Sequence, residues 1–320
     1  MRSLFLALLL AWLPGAAWAQ QPSALQQMGA WAQQLSAAHQ PIVDAYRECS
    51  PVVQQIQAAL QAQAREQLLG LASGDAYRNC LDRMRRAAEA SRDSLTRLGP
   101  MPTEMERILH LDSRDILRRS AASVDGIVGF MDRIREALDA LAAGDQELML
   151  RKLHESRALA GSVFDGQILL LETLRASLPM QTHKSMMDMR LAITRGIRVL
   201  SVADPMTDSG AASAGLRAEG AKARIAAREL RANWARESVG MRRAIARLGD
   251  RRRTALLTTL DEGFEQIAAA GDRLAASLET LPAERLEPAR AIGIMRELAD
   301  TELLVTETAL RFAVAASQFG

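Results

Sequence analysis

Apolar side chains return every three or four residues through nearly all of the chain beyond residue 20, the period of a helix with one buried stripe. The clearest run is Leu117, Ala121, Val124, Val128, Met131 and Leu138, with Ile134 covering the turn where Arg135 falls on the seam. Alternating four-three spacing kept over roughly three heptads predicts a helix lying nearly parallel or antiparallel to its neighbours.

Turn and cap residues divide this pattern. A first helix is expected from Ser23, with Pro41 and Pro51 each removing an amide donor and kinking or breaking it. Gly70 to Gly74 reads as a turn, with Asp75 capping the next helix. Gly99-Pro100-Met101-Pro102 ends that helix, and Thr103 with Glu106 forms a capping box that opens a helix to Ala143. Further helices follow from Gly144-Asp145 to Pro179 and from Thr182 to Ala203. The Ser-, Gly- and Asp-rich stretch from Asp204 to Gly215 reads as a loop. The last three helices span Leu216–Leu248, Asp250–Leu278 and Ala283–Ser317.

Short connections between long helices make sequential neighbours antiparallel, so the fold expected is all-α: an elongated up-down bundle of seven to eight long helices. Helices of this kind reach ~40–50 Å at 1.5 Å per residue. A division near Pro179–His183 gives an N-terminal bundle over 20–178 and a C-terminal bundle over 183–320. One continuous bundle satisfies the same pattern.

The first twenty residues depart from this period. Arg2 precedes an unbroken apolar run from Leu4 to Leu13, Pro14-Gly15 breaks it, and Ala17-Trp18-Ala19 has the small-x-small form read by a signal peptidase. This tripartite pattern predicts a Sec-type secretory signal peptide over residues 1–19, cleaved after Ala19, and a mature protein in the periplasm or outside the cell. An apolar run of about ten residues is too short for the ~20 a membrane-spanning helix needs. No later segment replaces it, because Glu172, Glu302, Glu307 and Arg311 interrupt the most apolar stretches. No transmembrane anchor is therefore expected, although peripheral contact with the envelope remains open.

Composition agrees with helix and adds little about partners. Aromatic residues make up 4% of the chain, and 40 basic against 38 acidic residues leave a net charge of +2. The basic residues are nearly all arginine, with lysine only at Lys152, Lys184 and Lys222.

The only two tyrosines and the only two cysteines share a repeated hexapeptide: Asp44-Ala45-Tyr46-Arg47-Glu48-Cys49 is echoed by Asp75-Ala76-Tyr77-Arg78-Asn79-Cys80. An exported chain tends to oxidise such a pair, and a loop of about 30 residues closed this way stabilises by roughly 3–4 kcal/mol in the chain-entropy model. Geometry opposes the pairing if Pro51 to Gly70 is one straight helix, which would hold Cys49 and Cys80 ~25–30 Å apart. A disulfide then requires a turn between Ser50 and Gln67, or a fold-back around Pro41–Cys49.

Two further groups are candidate sites. On a helix, Met180, His183, Met186 and Met187 share one face, and thioether with imidazole suits Cu(I). Met-x-x-His-x-x-Met resembles motifs of periplasmic copper- and silver-binding proteins, over seven residues and in a single copy. The plainer reading of methionine at this spacing is core filling.

The stretch from Arg217 to Arg253 holds twelve basic residues against four acidic ones, an excess of eight positive charges. Arg228, Arg231, Trp234, Arg242 and Arg243 are its candidate contacts with an anionic envelope surface, and outside the cytoplasm nucleic acid drops out as partner. The plainer reading is a solvated face balanced by acidic neighbours. No Gly-rich phosphate loop, Gly-x-Ser-x-Gly elbow or His-Glu-x-x-His is present. The leading expectation is thus a non-enzymatic exported bundle that acts by protein or ligand binding, as scaffold, sensor or envelope partner, with a protein partner or a second copy of itself. A soft-metal carrier and an anionic-surface binder are the alternatives.

Overall fold

The computed structural model describes residues 22–317 apart from 63, 104, 105, 108–111, 179, 204–208, 250, 284 and 285. The expected signal peptide lies outside the described residues. The described helices are α1 (Pro22–Gln61), α2 (Arg65–Ser73), α3 (Asp75–Arg97), α4 (Ser113–Ala142), α5 (Gln146–Ser177), α6 (Gln181–Val202), α7 (Ser209–Leu248), α8 (Arg251–Glu279) and α9 (Pro288–Ser317). Among the described residues there is no strand, and no helix is long and apolar enough to cross a membrane. The fold is the all-α bundle expected from the seam pattern.

Cross-helix rungs show the antiparallel order. Arg78 pairs with Asp139 at 2.7 Å, Arg85 with Asp132 at 2.8 Å and Arg92 with Asp125 at 3.5 Å, so α4 descends as α3 climbs. Each long helix packs on the next, and α9 comes back to lie on both α1 and α6. Helices α6 and α9 are consequently a wall shared by two circuits: α6-α7-α8-α9, and α1-α3-α4-α5-α6-α9. A single hydrophobic cluster runs through both, from Trp31 and Leu35 through Leu170 and Met187 to Phe264 and Leu298. Within the shared wall, the Arg190 guanidinium on α6 donates to the Glu302 carboxylate on α9 at 3.0 Å, and both side chains are buried.

Several boundaries behave as their residues require. Gly144 and Gly249 have φ of +76° and +64°, the left-handed conformation that ends a helix cheaply only at glycine. Asp145 caps α5 by accepting from the Leu148 amide at 2.9 Å.

Other boundaries correct the sequence reading. Helix α1 runs through Pro41 and Pro51 without a break. Its packing against α3 and α9 holds the helical course despite the lost hydrogen bonds. The long helix α4 opens at Ser113 rather than at Thr103. Its cap is Asp112, whose carboxylate accepts from the Arg114 and Asp115 amides at 3.0 and 3.1 Å, while Glu106 accepts from the Ser113 amide at 3.0 Å. Gly74, not Asp75, is the N-cap of α3, and Asp75 sits in the first turn, where a negative charge complements the helix dipole. Helix α7 begins at Ser209, well inside the stretch expected as loop.

Cys49 and Cys80 are joined in a disulfide, with their Cα atoms 5.5 Å apart. The chain meets the geometric condition by reversing between the end of α1 at Gln61 and the start of α2 at Arg65. Helix α2 then packs back on α1, bringing the start of α3 level with Cys49. In both hexapeptide copies the cysteine ties α1 to α3 while the arginine two places earlier reaches outward. Arg47 pairs with Glu307 on α9, and Arg78 pairs with Asp139 on α4. Burial and the nearby Asp300 carboxylate push the Tyr46 hydroxyl up to about 12.

Candidate functional site

The residues singled out from the sequence gather on α6 and on the α7–α8 hairpin. The amino end of α6 has no side-chain cap of its own, because Met180 occupies the N-cap position. Glu237 on α7 supplies one from the neighbouring helix: its carboxylate accepts from the Gln181 amide at 2.8 Å, the Thr182 amide at 3.1 Å and the Thr182 hydroxyl at 2.5 Å. This contact satisfies two of the free amides of the first turn and fixes the level of α6 against α7.

One turn into α6, His183 is 1% exposed, and neither ring nitrogen has a hydrogen-bond partner. Its ring stands edge-on to Phe264 of α8, with centroids 6.4 Å apart. Burial pulls its pKa down to about 4, partly countered by the Glu237 carboxylate, so the imidazole is neutral at neutral pH. Met186 and Met187 are fully buried beside it in sequence, and Met180 is half-buried at the helix mouth. Among the described residues no group of three or more His, Cys, Asp or Glu side chains is placed to hold a metal.

The arginines of α7 fall into two populations. Those along the root of the hairpin face carboxylates of α8. Arg224 forks onto Glu279 at 2.6 Å, and Arg231 reaches Glu265 at 2.9 Å and Asp272 at 2.6 Å. The hydrogen bond from Arg224 holds the Glu279 carboxyl below its usual range. Lys222 pairs with Glu219 at 2.6 Å. Trp234 is 7% exposed, donates its indole N–H to Asp261 at 2.7 Å and leans on Phe264 with ring centroids 4.7 Å apart. Arg242 completes the row by pairing with the same Asp261 at 2.5 Å.

Beyond Glu237 the hairpin continues past the amino end of α6 for about eleven more residues of α7, ~16 Å of helix. From Ser238 to Leu260 the sequence carries six arginines and a single acidic residue, Asp250. Arg243, Arg247 and Arg251 are exposed, and no carboxylate among the described residues pairs with them. Arg228 is exposed too, farther down the helix.

The structure therefore turns Arg231, Trp234 and Arg242 inward onto α8, Trp234 and Arg242 sharing Asp261 while Arg231 holds Glu265 and Asp272. Arg243 belongs to the open end instead, with Arg247 and Arg251 as companions that the sequence reading did not single out. Their signal was the excess of six arginines over the single Asp250 between Ser238 and Leu260. The Arg190–Glu302 pair, 112 positions apart, and the Glu237 cap had no local signal at all. The chain matches no family model, no curated protein and no solved structure.

Proposed function

We propose that this is an exported, non-enzymatic helical-bundle protein that acts by binding, and that the end of its α7–α8 hairpin docks on an anionic, phosphate-bearing lipid surface of the envelope. The observation that carries this reading is the change along one hairpin from matched arginines to unmatched ones. Arg224, Arg231 and Arg242 spend their charge on α8, whereas Arg243, Arg247 and Arg251 face solvent together around the Gly249 turn. Guanidinium groups bind phosphate oxygens in bidentate fashion and are more weakly hydrated than ammonium groups, which favours contact with a headgroup layer. The amino end of α8, beginning at Arg251, adds its helix dipole to the same positive field. The expected secretory signal supplies the compartment, and the supply of carboxylates and histidines gathered in any one place supports no catalytic reading.

Co-sedimentation of the mature protein with lipid vesicles tests the proposal. Vesicles containing anionic phosphoglycerol lipid should retain the protein at low salt and release it at high salt, and purely zwitterionic vesicles should not retain it. Replacing Arg243, Arg247 and Arg251 together by Gln should weaken binding by about a hundredfold, at ~1 kcal/mol for each basic side chain near such a surface. Binding that ignores salt, or that survives the triple substitution unchanged, would overturn the reading.

A further inference from the structure

The geometry points to a soft-metal site at the start of α6, where His183 with the thioethers of Met186 and Met187 would ligate one Cu(I) ion, admitted past Met180. The starting observation is an imidazole that is buried without any use for its nitrogens. A buried polar atom ordinarily has a partner, because an unmade hydrogen bond costs about 1–3 kcal/mol. Both His183 nitrogens lack one, and the aromatic neighbour Phe264 offers none. The ring could have satisfied itself at a surface a single turn away, yet it is held inside the bundle.

The surroundings select the ligand class. The one carboxylate whose charge reaches His183, that of Glu237, is taken up in capping α6, and among the described residues no group of three or more His, Cys, Asp or Glu side chains forms, so the donor sets of zinc, calcium and magnesium are incomplete. Thioethers are what remains. Met186 and Met187 lie three and four residues after His183, both buried. Side chains on a helix lean toward its amino end, so these two cover the turn from which His183 projects. One imidazole with two thioethers is a soft, low-coordinate donor set, and Cu(I) is the biological ion that prefers it. Met180, half-buried at the N-cap, provides a third sulfur between that turn and solvent.

Met189 supplies an internal control. It is as buried as Met186 and Met187, but its thioether end packs into the space left by Gly271 on α8. That sulfur is committed to helix packing.

The test is an anaerobic titration of the disulfide-bonded protein with Cu(I) against a colorimetric Cu(I) chelator. With Cys49 and Cys80 oxidised, no cysteine thiol competes. One Cu(I) per chain should bind with submicromolar Kd. The volume-conserving double substitution Met186→Leu with Met187→Leu should raise Kd by about a hundredfold or more, whereas Met189→Leu should leave it unchanged. Wild-type affinity weaker than micromolar, or a double variant that binds like wild type, would overturn the site. Should the double variant fold poorly, Ag(I) added to wild-type protein labelled at its methionine methyls answers instead: the Met186 and Met187 signals shift and the Met189 signal stays. A spectrum in which neither of the first two moves counts against the proposal.

Discussion

The root and the end of the α7–α8 hairpin are built from similar residues and do opposite things with them. In the root, Trp234 and Phe264 are buried against each other, and Arg224, Arg231 and Arg242 each find a carboxylate on the facing helix. At the end, Arg243, Arg247 and Arg251 are exposed, and no carboxylate among the described residues pairs with them. Identical side chains are structural where α8 carries Asp261, Glu265, Asp272 and Glu279, and available where α8 carries only Thr, Ala and Leu from Thr254 to Leu260. The function of a surface arginine is decided by the helix across from it.

The contrast can be broken most severely at the root. Trp234→Ala removes a large buried side chain and its indole hydrogen bond, and should cost ~3–5 kcal/mol in urea unfolding. A loss under ~1 kcal/mol would show that the root is not packed as described.

The next effect comes from acid. The His183 pKa lies at about 4 in the fold against an ordinary 6.5, so between those values the unfolded chain binds more protons and stability rises with pH. The contribution is complete above pH 6.5 and is lost as pH falls through 4, amounting to ~3 kcal/mol at most. His183→Gln should flatten that part of the pH profile; an unchanged profile would place the titrating group elsewhere.

A smaller effect sharpens the contrast from the other side. Glu265→Gln breaks one arm of an exposed fork and should cost only ~0.2–1 kcal/mol. By freeing part of the Arg231 charge it should also strengthen binding to anionic vesicles. The least effect on stability belongs to the end itself: Arg243, Arg247 and Arg251 changed together to Gln should move the unfolding free energy by no more than ~0.5 kcal/mol while removing vesicle binding. A large loss of stability there would mean those arginines are structural after all.

The features that were legible in the sequence are local ones. The seam through Leu117, Val124 and Val128 foretold α4 lying along its neighbours, the short connections foretold that the neighbours run antiparallel, and Gly144 with Asp145 marked its end. Local cues misled where packing or side-chain reach decides. Pro41 and Pro51 suggested breaks, but α1 is held along its length by α3 and α9. Thr103 and Glu106 suggested a cap, but the Glu106 carboxylate reaches forward to Ser113 instead. The arginines of α7 could be counted from the sequence, yet which of them are neutralised depends on residues 19 to 55 positions away. The isolation of His183 depends on three helices at once, and no spacing rule reports that.

The meeting of α9 with α1 has a consequence for the order of assembly. Under the proposed export, a chain crossing a membrane amino end first delivers Cys49 and Cys80 early, so the staple between α1 and α3 can form while most of the protein is still on the far side. The opposite flank of α1 has to wait for Pro288 and the thirty residues that follow. Until then an apolar strip along α1 stands open to whatever is nearby. Truncation before α9 should yield a protein that keeps its disulfide but clumps.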